Sequence, residues 1–273
     1  MPYAKINNIN IYYEVHGKGE PLVFLSGLSM NHIPWTIYQV EYFVNAGYQV
    51  IVMDNRDVGR TQESDIDGYK IRTFAEDTSG LLIHLGVESV HVIGYSMGGM
   101  IALEMVINNL IKPRSLTLVG STARQGGFGA NFLEILKIAK EKWSNEEFWR
   151  FMANKVLSWK FFENEKAISK WLAFVTSEEY YQSVAAFKRQ ADACIGFDVL
   201  SQLHEIEVPV HVVVGENDEM LAPRHSQVLV ENIQSAKLSC VPDYGHAVYS
   251  EGAEIFNPLV LEFLNKAPPK DES

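Results

Sequence analysis

The sequence predicts an α/β fold, a mostly parallel eight-stranded sheet flanked by helices, with an all-helical segment inserted into it. Three observations lead there. β-type and helix-type runs alternate through both ends of the chain, which implies parallel strands joined by helices on both faces of a sheet. Between residues 124 and 204 no convincing strand occurs. Finally, Gly94-Tyr95-Ser96-Met97-Gly98 lies between a β-type run at 89–93 and a helix-type run reaching Ile107, so a serine stands at a strand-to-helix joint. The expected division is a core of residues 1–123 and 205–273 and a helical cap of 124–204.

Ile9, Ile11, Tyr13 and Val15 alternate with polar or amphipathic residues, the pattern of a strand with one buried face, paired as a hairpin with 4–6 through Asn7-Asn8. Residues 21–25 form a continuous apolar run, as strands buried on both faces do. A helix is expected over 35–46, closed by Gly47, then a strand over 48–54. Another helix is expected over 73–85, stopped by Gly86, and strands over 89–93 and 114–119. In the insert, Phe132, Ile135, Leu136 and Ala139 fit one helical face. Asn145 can cap a helix bearing Phe148, Met152 and Val156, and 178–193 reads as a further helix. Alternation resumes with a strand at 208–215, a helix at 223–232, a strand at 237–241 and a helix at 251–264. The tail from Pro268 to Ser273 is expected to fray.

Composition narrows the function. The 273 residues are 47% hydrophobic and 21% charged, ordinary for a globular chain. A net charge of −11 argues against nucleic acid and against an anionic membrane surface as partners. The N-terminus has no apolar signal region, no apolar run is long enough to span a bilayer, and a cytoplasmic location is expected. With two cysteines, Cys194 and Cys240, a disulfide framework is excluded and two reduced, buried thiols are expected.

The chemistry centres on Ser96. A serine at a sharp strand-to-helix turn presents its hydroxyl outward, and glycines at 94 and 98 allow strand and helix to approach closely. The helix start leaves N–H groups free for a developing oxyanion. A serine hydroxyl also needs a base. Among eight histidines, His246 follows the last strand. His16, His84, His204 and His225 fall on surface turns or helices, and His91 and His211 lie inside strands. His32 is a candidate pocket residue, as is Tyr95. Asp218, after the 208–215 strand, is the expected acid, with Glu216 and Asp243 as weaker competitors. No carboxylate follows the sixth strand, where the chain reads Gly120-Ser121-Thr122-Ala123. Met97 supplies one oxyanion N–H and Leu28, in the Ser26-Gly27-Leu28-Ser29 loop, the other. The histidines lack zinc-type spacing, so no metal and no cofactor are expected.

Together these residues resemble the α/β-hydrolase superfamily over essentially the whole chain. The opening from Ile11 to Gly27 resembles the family's opening, Asp54-Asn55-Arg56-Asp57-Val58-Gly59-Arg60-Thr61 resembles its Asp-x-Arg-Gly-x-Gly-x-Ser turn, and Gly94–Gly99 followed by Met100 is similar to the small esterase and enol-lactonase branch. Two positions depart from the family pattern: Ser26 stands where many relatives have histidine, and Asp57 replaces a glycine. The resemblance implies structural roles for Asp54 and Arg56.

The function expected is a cofactor-independent serine hydrolase acting on small-molecule carboxylic esters. Four of the five tryptophans (Trp143, Trp149, Trp159, Trp171) fall in the insert and suggest an apolar substrate moiety. Enol-lactone, thioester and carbon–carbon bond hydrolysis and a perhydrolase activity use the same triad. Haloalkane dehalogenases and epoxide hydrolases of this fold carry aspartate where Ser96 stands, which excludes them. A hydrolase-fold ligand receptor is the rival from outside enzymology.

Overall fold

The computed structural model describes residues 2–267; the tail expected to fray lies outside them. Eight strands form one sheet in the order β1-β2-β4-β3-β5-β6-β7-β8. They are β1 (Tyr3–Ile6), β2 (Ile9–His16), β3 (Glu20–Leu25), β4 (Tyr48–Met53), β5 (Ser89–Tyr95), β6 (Lys112–Val119), β7 (Val210–Gly215) and β8 (Ala236–Val241). β2 is antiparallel to both its neighbours, and the pairings from β4 to β8 are all parallel. The run expected to be buried on both faces is so from Leu22 to Leu25, with Pro21 partly exposed, and all six residues of β7 are buried as well.

Twelve helices accompany the sheet among the described residues. α1 (Ile33–Trp35) and α2 (Glu41–Asn45) are joined by a π turn over Thr36–Val40, where a single regular helix was expected. Gln39 points inward there to the Tyr249 carbonyl at 2.6 Å, and the Asn257 side chain donates to the Tyr38 carbonyl at 2.8 Å. This inserted polar contact gives the widened turn its partners. α3 (Ile71–His84) and α4 (Met97–Ile107) pack beside one another.

Between β6 and β7 come α5 (Gly126–Lys142), α6 (Asn145–Val156), α7 (Trp159–Phe162), α8 (Glu165–Val175) and α9 (Val184–Ile195). The buried stripe of α5 is Leu133, Leu136, Ala139 and Lys140, while Ile135 is exposed, so the expected face is rotated. Ser144, rather than Asn145, caps α6: its hydroxyl accepts from the Glu147 amide and the Glu147 carboxylate reaches back to the Ser144 N–H at 2.8 Å. That reciprocal pairing satisfies two amides that Asn145 would leave free. The helix expected over 178–193 is split into a 3₁₀ turn (Glu178–Tyr180) and α9, because Ser183 caps α9 afresh by accepting from the Ala186 amide. α10 (Pro223–Asn232), α11 (Val248–Glu251) and α12 (Ala253–Leu264) complete the chain, with a break at Gly252 where one helix was expected. Cys194 is buried, but Cys240 is exposed because β8 is the sheet's edge. No helix among the described residues is long and apolar enough to cross a membrane.

His211 on β7 illustrates the cost of a titratable core. Its ring lies tilted against Phe263, Nε2 meets Ser239 Oγ at 2.9 Å, and Nδ1 is buried without a partner among the described residues. Burial pushes its pKa from the ordinary 6.5 down to about 4. Between those values the unfolded chain binds a proton that the folded chain refuses. Stability from this group is therefore intact above pH 6.5 and lost as pH falls toward 4, by at most about 3 kcal/mol. In chemical denaturation at a series of pH values, His211→Gln should flatten the decline over that interval. Equal slopes in both proteins would refute the assignment.

Candidate active site

The site is built where β3 and β5 lie side by side and the chain departs to opposite sides, β4 on one edge and β6 on the other. Such a switch point leaves a crevice at the strands' C-terminal ends. Ser96 follows β5 and has φ 54° and ψ −117°, a region costly for any side chain but glycine. Close packing enforces it. A Cβ at Gly94 would stand 2.4 Å from the Gly98 carbonyl oxygen, and one at Gly98 would stand 2.1 Å from that of Leu25. The Ser96 amide donates to the Val119 carbonyl at 2.8 Å, while its own carbonyl accepts from the Ser121 hydroxyl at 2.8 Å and from the Gly99 amide at 2.9 Å. The turn is thus fastened on both sides, and the Ser96 hydroxyl is left facing a cavity of about 860 Å³.

His246 and Asp218 are brought together. Nδ1 of His246 lies 2.7 Å from Asp218 Oδ2, and both residues are buried. The other Asp218 oxygen accepts from the Met220 and Leu221 amides at 2.9 and 2.8 Å, which fixes the carboxylate's plane. Tyr95 packs its ring against the imidazole with centroids 4.9 Å apart and lines the cavity. His246 and Ser96 line the same cavity, but no direct hydrogen bond joins them. Catalytic contacts of this kind often tighten only around a substrate. The two acidic competitors are engaged elsewhere: Glu216 accepts from the Asp243 amide, and Asp243 pairs with Lys160.

Leu28 and Met97 both border the cavity, and neither of their N–H groups has an acceptor among the described residues. A Cβ at Gly27 would stand 3.2 Å from Ser96 Cβ, so glycine lets this loop close on the serine. His32 does not reach the cavity and is corrected as a pocket residue. Its ring and its amide both turn to Asp54 Oδ1 at 2.7 Å, and Nε2 faces Glu14. The strong charge-assisted acceptor just after β4 wins over the apolar cavity. Arg56 makes a two-pronged pair with buried Asp77 at 2.6 and 2.8 Å.

Much of the remaining lining is apolar and comes from the inserted helices, among them Leu136, Phe148, Trp149, Met152, Trp171 and Phe174. Trp143 and Trp159 are exposed. Four cationic side chains, Arg124, Lys155, Lys170 and Arg224, also border the cavity, with Glu219 holding Lys155 at 2.9 Å.

Sequence reasoning missed the residues that tie these helices to the site. Gln190 of α9 is fully buried. Its oxygen accepts from the Ser29 amide and from Gln182, both at 3.0 Å, and its nitrogen donates to the Arg56 carbonyl at 2.7 Å. Arg189 pairs with buried Asp57 through two bonds of 2.9 Å. Glu251, whose carboxyl pKa burial pushes up and Ser158 pulls back, accepts from the Ser158 amide and hydroxyl at 2.9 and 2.6 Å. The only available signal was Asp57 standing where the resembled family has glycine. Gln190→Leu strands the Ser29 amide and the Arg56 carbonyl, and should lower stability by about 3 kcal/mol in urea titration. A loss below about 1 kcal/mol would show that both groups find other partners.

Three comparisons with known proteins agree with this architecture. The family model for the alpha/beta hydrolase fold matches residues 20–253. A protein of Azorhizobium caulinodans named "Putative carbamate hydrolase RutD" is 30% identical, with 97% of this chain and 99% of that protein covered. A 2-hydroxy-6-oxo-6-phenylhexa-2,4-dienoate hydrolase of Comamonas testosteroni is 27% identical over 96% of this chain and 93% of its own. In fold, the chain is similar to the enol-lactonase of Burkholderia xenovorans LB400, with a TM-score of 0.88 at 21% identity, covering 97% of this chain and all of that one.

Proposed function

This chain belongs to the alpha/beta hydrolase family, whose members named above are hydrolases of small molecules, and we propose that it is a serine hydrolase of carboxylic esters. The observation that carries the reading is the pairing of His246 with a doubly anchored Asp218 on the wall of the cavity into which a strained Ser96 projects.

The geometry supports a sequence of steps. With Nδ1–H donated to Asp218, the His246 ring presents Nε2 as a base. Nε2 takes the Ser96 proton as Oγ bonds to the ester carbonyl carbon. The carbonyl π pair moves onto oxygen, where the Leu28 and Met97 N–H groups stabilise it. The oxyanion collapses, the carbon–alkoxy bond breaks, and His246 returns the proton to the departing alcohol. A water, deprotonated by the same imidazole, then attacks the acyl-enzyme, and the acid leaves as Ser96 recovers its proton. The inserted helices, residues 124–204, act as a cap over core residues 1–123 and 205–273. Support for this comes from the apolar side chains that α5, α6 and α8 contribute to the cavity, which suits an apolar acyl or alkyl group.

Carbamate and carbon–carbon substrates, suggested by the named relatives, would use the same serine and oxyanion donors. A side-by-side panel of esters, thioesters, lactones, carbamates and vinylogous diketo acids decides among them, and esters are expected to give the highest kcat/KM. Ser96→Ala should cut ester turnover at least roughly ten-thousandfold while the melting temperature stays close to the parent's. Undiminished turnover in that variant would overturn the reading.

A further inference from the structure

His225, expected from sequence on a surface helix, is half-buried in the first turn of α10 and borders the same cavity as Ser96. Its Nδ1 lies 3.1 Å from Thr122 Oγ1. That hydroxyl in turn lies 2.8 Å from the Arg124 carbonyl oxygen and 3.2 Å from the Arg124 amide nitrogen. These contacts fix the protons. Two oxygens approach to 2.8 Å only with a hydrogen between them, and a carbonyl has none to give, so the single Thr122 proton points at Arg124. The Arg124 N–H occupies one lone pair of the hydroxyl. Only the second lone pair is left for the imidazole, and Nδ1 must therefore carry hydrogen and donate it.

This tautomer decides the other ring nitrogen. Burial first, and then the neighbouring Arg224 charge, push the His225 pKa below the ordinary imidazole value, against the opposing pull of Asp218. A neutral ring with its hydrogen on Nδ1 leaves Nε2 as a bare acceptor. No described residue donates to it. His225 is only half-buried and Nε2 is not among the buried atoms without a partner, so water can pair this acceptor before a ligand enters, and a ligand that displaces the water must supply the donor itself.

We propose that His225 Nε2 is a specificity-determining acceptor, and that the substrate is an apolar ester carrying one hydroxyl or N–H group that it donates to this nitrogen. The proposal rests on the serine-hydrolase reading, since it names the substrate class of the same cavity. A site that offers a hydrogen bond discriminates against the analogue lacking the partner, because that analogue strips water from the acceptor and returns no donor.

The test separates binding from turnover. Ser96→Ala protein is titrated by calorimetry with ethyl hexanoate, with its counterparts hydroxylated on the second or third acyl carbon, and with hydroxyethyl hexanoate against propyl hexanoate. At least one hydroxylated ester should bind about tenfold tighter than its partner. The ratio should fall to about one when His225→Phe is added and return with His225→Gln, whose amide oxygen can occupy the Nε2 position. Because each ratio is taken within one protein preparation, partial loss of folded protein cancels. Equal affinities across every pair, or a preference that survives His225→Phe, would overturn the proposal. Turnover of the same esters by the parent protein is measured in parallel, and its absence counts against the hydrolase reading alone.

Discussion

The approach of α4 to the ends of β3 and β5 is the constraint on which the rest of the structure depends. Carbonyl oxygens of Leu25 and Gly98 lie where side chains at positions 98 and 94 would begin, so the helix seats directly on the sheet. Ser96 is forced into a left-handed backbone as a result, and the hydrogen bonds around it hold that conformation against its intrinsic cost. The consequences are positional. The helix start sets the Met97 amide, which has no acceptor among the described residues, beside the crevice, the loop after β3 can close to within contact of the serine, and the loops after β7 and β8 bring an acid and an imidazole to the same rim.

A second constraint runs between the inserted helices and the sheet. Gln182, Arg189 and Gln190 of one segment bind the backbone or side chains of Arg56, Asp57 and Ser29, and Ser158 is held by Glu251 near the imidazole loop. These contacts are polar and mostly buried. Such a seam adds little net stability compared with apolar packing, but it is costly to break halfway, since each lost partner strands another. It therefore specifies one arrangement of helices over the cavity rather than a sliding apolar fit. Asp57 is the clearest example: its buried carboxylate is held by Arg189 together with the Ser64 amide and the Tyr69 hydroxyl, so losing the guanidinium leaves it only partly paired.

The sheet, the joint at Ser96, and the positions of Asp218 and His246 were legible because each is written locally, as an apolar run with a turn after it. The same is true of the core strand histidines, whose neighbours in sequence already marked them as interior. Features that depend on pairing across long stretches of chain were not legible. Gln190 looks like one more polar residue on an amphipathic helix, and only the fold sets it against a loop some 160 residues earlier. His32 failed in the opposite direction: its nearness to the loop after β3 suggested the cavity, while Asp54, adjacent only in space, takes its ring. Helix boundaries shifted where a nearby serine made a better cap, at Ser144 and Ser183.

The Gln190 bond to the Ser29 amide has an evolutionary consequence. A lineage of this fold that exchanges its helical insert for another would acquire a new cavity shape and, at the same stroke, a loosened loop after β3. Chimeras made by grafting a foreign insert between β6 and β7 would inherit that defect unless an amide is restored at the place Gln190 occupies. Cavity shape and the seating of the loop beside Ser96 are in this chain inherited together, through one side chain.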